Sequence, residues 1–379
     1  MPRRSFVAVF TLLIAQALAH GLAAPALADD YAWKLPRGFP VPPVPADNPM
    51  TDEKVALGRM LFYEQRLSIT GKFSCASCHE QVRAFTDGRA QALGATGQAH
   101  PRSAMSLANV AYLPSLQWAD PNLRTLEAQV LGPLLNEHPV EMGLKGRESQ
   151  VLGELADDEN YRGAFAQAFP SDEAPVTLLN VQRALASFER TMISGRSAFD
   201  RRVFDDDRTA MSDAALRGMA VFSRVGCDRC HSGITFSGPP ATHSRASAEP
   251  LFANTGLYNM DGKGRYPDTA PGLGAITKRK ADHGRFRVPT LRNVAVTAPY
   301  MHDGSVATLE GVIDHYAAGG RQAPRGPAAK NRYRDERIVP LRLTQAERAD
   351  LIAFLESLTD EAFLSDPGFA PAARVPDRK

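Results

Sequence analysis

The sequence has few cysteines, few tryptophans and almost no net charge. Its 379 residues contain four cysteines and two tryptophans, and the formal net charge at pH 7 is +2. A net charge this small gives no electrostatic reason to expect nucleic acid or an anionic membrane as the partner. Positive charge gathers locally at Lys278–Lys280, Arg285 and Arg287. We expect this cluster on a solvated loop rather than at a docking site.

Long hydrophobic runs are also missing beyond the N-terminus. Met1–Arg4 is basic, Phe6–Leu18 is apolar but short for a membrane span, and Ala26–Ala28 offers the small residues that signal peptidase recognises. We therefore expect residues 1–28 to be a cleaved export signal, the mature chain to have no membrane span, and the periplasm to be its compartment. An uncleaved membrane anchor is the alternative that the cleavage pattern disfavours.

All four cysteines lie in two Cys-x-x-Cys-His runs, which leaves none for a disulfide. The runs contain Cys75, Cys78 and His79, then Cys227, Cys230 and His231. Two thiols at this spacing can both bond to a porphyrin, while the imidazole that follows binds the iron. Zinc knuckles and dithiol redox pairs do not require that histidine. The sequence therefore predicts two covalently bound c-type haems, with one histidine of each run as proximal iron ligand.

Helical patterns precede both haem runs. Thr51 and Ser212 are suited to cap helices that lead towards the first and the second run. The stretch Gly58–Phe62 resembles Gly218–Phe222, which indicates an internal duplication. No region alternates at period two for long enough to form a substantial sheet. We therefore predict a mainly α fold of two cytochrome c-like haem domains with long loops and little sheet, at residues 29–200 and 201–379.

Motifs outside the haem runs resemble those of the bacterial di-haem cytochrome c peroxidase and MauG superfamily, over nearly the whole mature chain. The more specific stretches are Leu126–Gln129, Gly132-Pro133, Pro139–Met142, Val288–Asn293 and Thr297–Gly304. The resemblance implies a di-haem oxidoreductase whose first haem reacts with hydrogen peroxide.

The resemblance also implies a set of residues around the first haem. Glu141 corresponds to the distal acid-base group, Gln129 to a neighbouring pocket residue, and Pro133 to the residue that shapes the pocket. Glu137-His138 looks like a two-residue insertion before Pro139. Such an insertion could displace Glu141, and a surface carboxylate at a helix end is then the alternative.

Family peroxidases carry a distal histidine in the loop after the first haem, and residues 86–97 contain none. The nearest histidine is His100, which is out of register with that ligand. We therefore expect a five-coordinate first haem that is ready for peroxide without prior reduction, and we interpret His100 as a structural, hydrogen-bonding histidine.

At the second haem, Tyr316 stands where typical peroxidases of the family have a methionine ligand. A phenolate is a hard anionic ligand that stabilises ferric and higher oxidation states, whereas a thioether stabilises ferrous iron. This tyrosine is typical of the MauG-like branch. Met301 and His315 remain the alternative ligands.

Two further correspondences concern the region between the domains. Trp118 corresponds to the family tryptophan that relays electrons between the haems, although a core tryptophan without a redox role is the alternative. Asn109 corresponds to a side-chain ligand of a calcium ion, and Thr297 and Pro299 to its backbone carbonyl ligands. Oxygen donors of this kind suit calcium.

These correspondences lead to three hypotheses of function. The first is a periplasmic MauG-like enzyme that uses peroxide to form a bis-ferryl state shared through Trp118, and that oxidises a Trp or Tyr residue of a partner protein. The sequence of the stretch Trp118–Leu123 and the insertion at His138 favour an MbnH-like enzyme with a copper-binding partner. The second hypothesis is a cytochrome c peroxidase that takes electrons from a small cytochrome c or cupredoxin. The third is a non-catalytic di-haem electron carrier.

Overall fold

A computed structural model describes residues 31–244, 248–321 and 331–372 of the chain. The predicted export signal, residues 1–28, lies outside the described residues. Within the ranges that the structure covers, no helix has both the length and the apolar character needed to cross a bilayer.

The described chain is helical with very little strand. The helices are α1 Asp52–Phe62, α2 Leu126–Leu135, α3 Glu148–Asp157, α4 Glu159–Ala168, α5 Leu178–Arg190, α6 Ala198–Phe204, α7 Asp213–Arg224, α8 Gly274–Thr277, α9 Leu309–Ala317, α10 Gln345–Glu356 and α11 Glu361–Ser365. A two-residue strand, β1 Phe252–Ala253, pairs antiparallel with β2 Phe286–Arg287. The predicted fold class, mainly α with long loops and little sheet, is confirmed.

The helices that lead to the two haem runs begin where the sequence predicts. The Thr51 side chain accepts a hydrogen bond from the Lys54 backbone N–H at 3.2 Å, at the start of α1. The Ser212 side chain accepts one from the Ala215 N–H at 3.1 Å, at the start of α7. These caps satisfy N–H groups that have no partner inside the helix, and so they set the start of each helix.

Each of these helices packs closely against one later helix, α1 against α5 and α7 against α10. A Cβ atom at Gly58 would lie 1.9 Å from the Ala184 carbonyl oxygen, and one at Gly218 would lie 1.8 Å from the Asp350 carbonyl oxygen. Only glycine lets the two backbones approach so closely. The repeat that the sequence indicates at Gly58–Phe62 and Gly218–Phe222 is thus the same helix crossing made twice.

Two separate apolar cores surround these crossings. The first contains the buried residues Leu57, Leu61, Phe62, Leu185 and Phe188. The second contains Ala215, Val221, Phe222, Leu351 and Phe354.

The C-terminal segment returns to the first core. Phe363 and Phe369 are buried in it, and the Gln81 side chain donates to the carbonyl oxygens of Phe363 at 3.1 Å and Asp366 at 2.9 Å. From Trp33 onward the chain forms one compact unit. The division into domains at residue 200 therefore stays a prediction.

Candidate haem centres

The first Cys-x-x-Cys-His run forms a tight turn that places its imidazole for metal binding. The backbone N–H of His79 donates to the Cys75 carbonyl at 3.0 Å, and the ring Nδ1 lies 2.7 Å from the Phe85 carbonyl oxygen. Because a carbonyl only accepts, Nδ1 carries the proton and Nε2 keeps a free lone pair. Burial lowers the pKa of His79, which favours the neutral imidazole that metals bind.

The second run repeats this geometry. The His231 N–H donates to the Cys227 carbonyl at 2.9 Å, and its ring Nδ1 lies 2.9 Å from the Phe236 carbonyl oxygen. Phe85 and Phe236, the two residues that supply the carbonyls, both have positive φ angles, 63° and 51°. A positive φ is uncommon for a bulky residue, so the same unusual turn holds both imidazoles.

A cavity of about 350 Å³ adjoins the first run. Its walls include both thiols of the run and its histidine, together with the three pocket residues that the resemblance implies, Gln129, Pro133 and Glu141. The Gln129 Oε1 atom is buried and has no hydrogen-bond partner among the described residues. A buried acceptor without a donor is costly, so this oxygen indicates that a polar group occupies the cavity when the site is filled.

The two-residue insertion does not remove Glu141 from this cavity. Residues 136–138 are exposed and form a turn at the surface. The segment that follows the turn is held by two backbone hydrogen bonds. The Met142 N–H donates to the Pro133 carbonyl at 2.9 Å, and the Ala95 N–H donates to the Glu141 carbonyl at 2.7 Å. The extra length is therefore accommodated in an exposed turn, from which His138 still contributes to the cavity lining, and Glu141 stays on the wall. Its acid-base role remains a prediction.

His100, which we interpreted as a structural histidine, is the partner of this carboxyl group. Its Nε2 lies 3.2 Å from Glu141 Oε1, and both side chains line the cavity. The His100 N–H also donates to the Ala92 carbonyl at 2.7 Å. No spacing in the sequence connects the two residues, because a loop and a helix separate them.

A second cavity, of about 240 Å³, adjoins the second run. Tyr316 from α9 and Met301 both line it, whereas His315 does not and instead places its Nε2 3.0 Å from the Thr255 carbonyl. Burial raises the pKa of the Tyr316 phenol. Of the three candidate ligands, Tyr316 and Met301 thus line the cavity and His315 does not.

Trp118 lies on the walls of both cavities. Its indole N–H donates to the Ser103 carbonyl at 3.0 Å, and its own carbonyl accepts from the Arg287 N–H at 2.8 Å. The side chain is 9% exposed. The indole is thus held rigidly where it contacts both sites, which is the position that a relay requires.

The expectation that Arg287 lies on a solvated loop is wrong. Lys278–Lys280 is exposed, but Arg287 is 5% exposed and lines both cavities. Its side chain donates to the Gln117 carbonyl at 3.3 Å and to Met105 Sδ at 3.2 Å, and burial lowers its pKa to about 10. Among the described residues no carboxylate pairs with it. A buried cation without an anion is costly by several kcal/mol. Arg287 is therefore placed to pair with an anionic group bound in either cavity.

The predicted calcium ligands have a mixed outcome. Asn109 is buried, and its side chain donates to the Ser194 carbonyl at 2.8 Å and accepts from the Ser194 N–H at 3.0 Å. Thr297 and Pro299 line the second cavity. Across the described ranges no cluster of three or more His, Cys, Asp or Glu side chains could hold a metal ion. The Asn109 hydrogen bonds give that side chain a structural role, and the calcium site stays a prediction.

The residues present fit two covalent haems. Each cavity has on its wall the two cysteines of one run, neither of them in a disulfide, and the imidazole of the histidine that follows. The unpaired Arg287 guanidinium adds a match for the carboxylates that a haem carries.

Comparison with known proteins agrees with this fit. The family model described as di-haem cytochrome c peroxidase matches residues 52–208. The chain is 38% identical over 365 residues to cytochrome-c peroxidase IdrP1 of Denitromonas iodatirespirans, covering 91% of this chain and 92% of that protein. It is 35% identical over 320 residues to methylamine utilization protein MauG of Methylorubrum extorquens, covering 84% and 82%.

Solved structures give the same result. A MauG-like protein associated with microbial copper homeostasis is 42% identical, with a TM-score of 0.86 over 90% of this chain and 99% of that one. The diheme peroxidase BthA from Burkholderia thailandensis, 22% identical with a TM-score of 0.65, shares the fold. The chain therefore belongs to the di-haem cytochrome c peroxidase family, which includes the MauG proteins, and is an oxidoreductase with haem cofactors.

Proposed function

We propose that this enzyme is a MauG-like, periplasmic oxidase that reacts with hydrogen peroxide at the first cavity and oxidises a Trp or Tyr residue of a partner protein. The observation that carries the proposal is Tyr316, a phenol on the wall of the same cavity as Cys227, Cys230 and His231. The likeness to a MauG-like protein associated with copper homeostasis supports a copper-linked partner of the MbnH-like kind.

The haems, when bound, supply iron that accepts oxidising equivalents from peroxide. Cys75, Cys78 and His79 would hold the first haem. Cys227, Cys230, His231 and Tyr316 would hold the second. The Arg287 guanidinium would pair with their carboxylates from its buried position between the cavities.

The side chains of the first cavity are suited to move the protons of peroxide cleavage. The Glu141 carboxylate takes the proton from one peroxide oxygen and returns it to the other, which leaves as water. His100, at 3.2 Å, anchors this carboxylate against the cavity wall. Gln129 presents its unpartnered Oε1 as a hydrogen-bond acceptor, and Pro133 offers no competing N–H donor.

Two features favour this function over an ordinary cytochrome c peroxidase. The loop of residues 86–97 contains no histidine that could close the first cavity, and His100 is bound to Glu141 instead. An anionic oxygen donor such as Tyr316 stabilises the oxidised forms of the second haem. Peroxidase activity with a small cytochrome c or cupredoxin as electron donor is the second candidate, favoured by the 38% identity to a cytochrome-c peroxidase.

The test is the reaction of the fully oxidised, purified protein with one equivalent of hydrogen peroxide. We expect a long-lived species two electrons above the resting protein, which decays faster when the partner is added. A protein that is inert to peroxide until one haem is reduced would favour the second candidate. Elemental analysis of the same preparation tests the calcium proposed at Asn109, Thr297 and Pro299.

A further inference from the structure

A chain of aromatic rings runs from Trp118 towards the surface. The ring centres of Trp118 and His302 are 6.5 Å apart, and those of His302 and Tyr258 are 6.4 Å apart. His302 is also stacked on Phe286 with 3.6 Å between the ring centres. Aromatic pairs at these separations are in contact. The rings therefore connect the indole that lines both cavities with Tyr258.

Tyr258 has an ionised acceptor for its proton. Its hydroxyl donates a hydrogen bond to the Asp303 carboxylate. Burial and this hydrogen bond raise the pKa of Tyr258 to about 12. The phenol therefore keeps its proton at neutral pH, and it can lose an electron at low cost only if the proton moves to a nearby base at the same time. Asp303 is that base.

Tyr258 also reaches the surface. It is half-buried, Met260 two residues later is 58% exposed, and the exposed Arg321 guanidinium lies 5.6 Å from the centre of the Tyr258 ring. The neighbouring Tyr266 differs from Tyr258 both in surface exposure and in the charge of its hydrogen-bond acceptor. It is 1% exposed, and its hydroxyl donates to the neutral Asn254 side chain at 2.9 Å.

We propose that Tyr258 is the residue through which the enzyme oxidises its partner protein, with Asp303 as the proton acceptor. The inference rests on the proposed function and names the exit point of the same reaction. Trp118, after it has given an electron to the peroxide-oxidised centres, takes one from Tyr258, and the phenolic proton moves to Asp303. The tyrosyl radical then takes an electron from a Trp or Tyr side chain of the partner and recovers its proton from Asp303. The partner side chain releases its own proton to water.

Two such one-electron transfers supply the two electrons that one molecule of hydrogen peroxide accepts. Hydrogen peroxide takes up two electrons and two protons and gives two molecules of water, while the partner loses two electrons and two protons. His302 is not oxidised in this sequence. It is a positioning residue that keeps the indole and the phenol in contact through the same ring.

The experiment uses the oxidised holoprotein, hydrogen peroxide and a nitroso spin trap, without the partner. We expect the trap to be bound covalently at Tyr258 in peptide mass maps, and a tyrosyl signal by electron paramagnetic resonance. Tyr258→Phe should abolish this adduct, and Asp303→Asn should slow its formation by about 10²-fold, as expected for loss of a positioned base. Tyr266→Phe is the matched control and should trap like the wild type.

Each outcome has a separate meaning. The rate of peroxide consumption and the amount of covalent haem should be unchanged in all three variants, which excludes a folding defect as the cause. Peroxide consumption by the wild type with no adduct at Tyr258, or an unchanged rate of adduct formation in Asp303→Asn, would overturn this inference and leave the proposed function standing. A wild type that does not react with peroxide unless it is first reduced would overturn both.

Discussion

The two halves of the molecule share one proximal architecture. In each half a glycine-containing helix crosses a later helix, and a Phe carbonyl holds the histidine of the haem run. Asn109 and Asn293, with φ angles of 61° and 58°, each precede a 3-10 turn, Val110–Tyr112 and Val294–Val296. The side that attaches the haem is thus built twice from the same parts.

The remaining walls of the two cavities differ. The first is lined by a carboxylate, an amide and an imidazole, from Glu141, Gln129 and His100. The second has no carboxylate among its described lining residues, and its wall includes the phenol of Tyr316, the thioether of Met301 and the imidazole of His302. A group that moves protons suits peroxide cleavage, and a strong anionic donor suits storage of an oxidising equivalent. The comparison teaches that the two cavities keep the same Cys-x-x-Cys-His geometry while their remaining walls differ.

The largest expected effect is the loss of covalent haem from one half of the chain while the other half keeps its haem. The double substitution Cys227→Ala, Cys230→Ala should halve the covalently bound haem, and Cys75→Ala, Cys78→Ala should do the same in the first half, because each pair of thiols lies on a different cavity. A pyridine haemochrome assay measures the ratio of haem to protein. One haem per chain in the wild type would contradict the prediction that both halves attach a haem.

The second prediction removes the carboxyl group that we propose carries the peroxide proton. Glu141→Gln should slow the reaction with peroxide by about 10²–10⁴-fold, since an amide cannot take up the peroxide proton. Stopped-flow absorption measures this rate. Glu137→Gln is the matched control, because Glu137 lies in the exposed insertion turn and pairs with Lys145. Equal rates for the wild type and Glu141→Gln would remove Glu141 from the mechanism.

The third prediction makes the second half resemble that of an ordinary peroxidase. Tyr316→Met should raise the reduction potential of the second haem and leave that of the first unchanged, because a thioether stabilises ferrous iron where the phenolate does not. Spectroelectrochemical titration resolves the two potentials. His315→Gln, which changes a neighbour outside the cavity, should have little effect. If Tyr316→Met leaves both potentials in place, Met301 becomes the ligand to test.

The smallest expected effect tests the shared scaffold. Gly58→Ala and Gly218→Ala should each lower the free energy of unfolding by about 1–3 kcal/mol, because the added methyl group overlaps a backbone carbonyl on the facing helix. Gly153→Ala in α3 is the control. Nothing lies within 4 Å of a Cβ there, so the change should stabilise the helix by up to about 1 kcal/mol. Thermal unfolding of the holoprotein measures all three, and equal losses at Gly58 and Gly153 would contradict the close crossing.

Prediction from the sequence succeeded for the helix starts, because the interactions that set them are local. Caps such as Thr51 and Ser212 act on N–H groups three residues away. The place of Glu141 on the cavity wall was open at that stage, because the insertion before it could be absorbed inward or outward. Backbone hydrogen bonds donated by the Ala95 and Met142 N–H groups keep Glu141 on the cavity wall beyond the exposed turn.

Prediction failed for Arg287 and was incomplete for His100. Four nearby basic residues made a solvated loop the natural expectation for Arg287, but β2 carries this side chain inward to the two cavities. Its neighbours Phe286 and Val288, which are both buried, are the sequence signal that could have indicated this. His100 had no comparable signal, since its carboxyl partner comes from a distant part of the chain.

The sequence alone therefore determined the mainly helical fold and the family, because these depend on helix periodicity and on the spacing of residues in motifs. Only the tertiary structure decided which side chains face each cavity, that Trp118 lines both, and that Tyr258 meets Asp303 at the surface. The physical reason is that such contacts join residues far apart in the chain, and the burial of two apolar cores rather than any local preference brings them together.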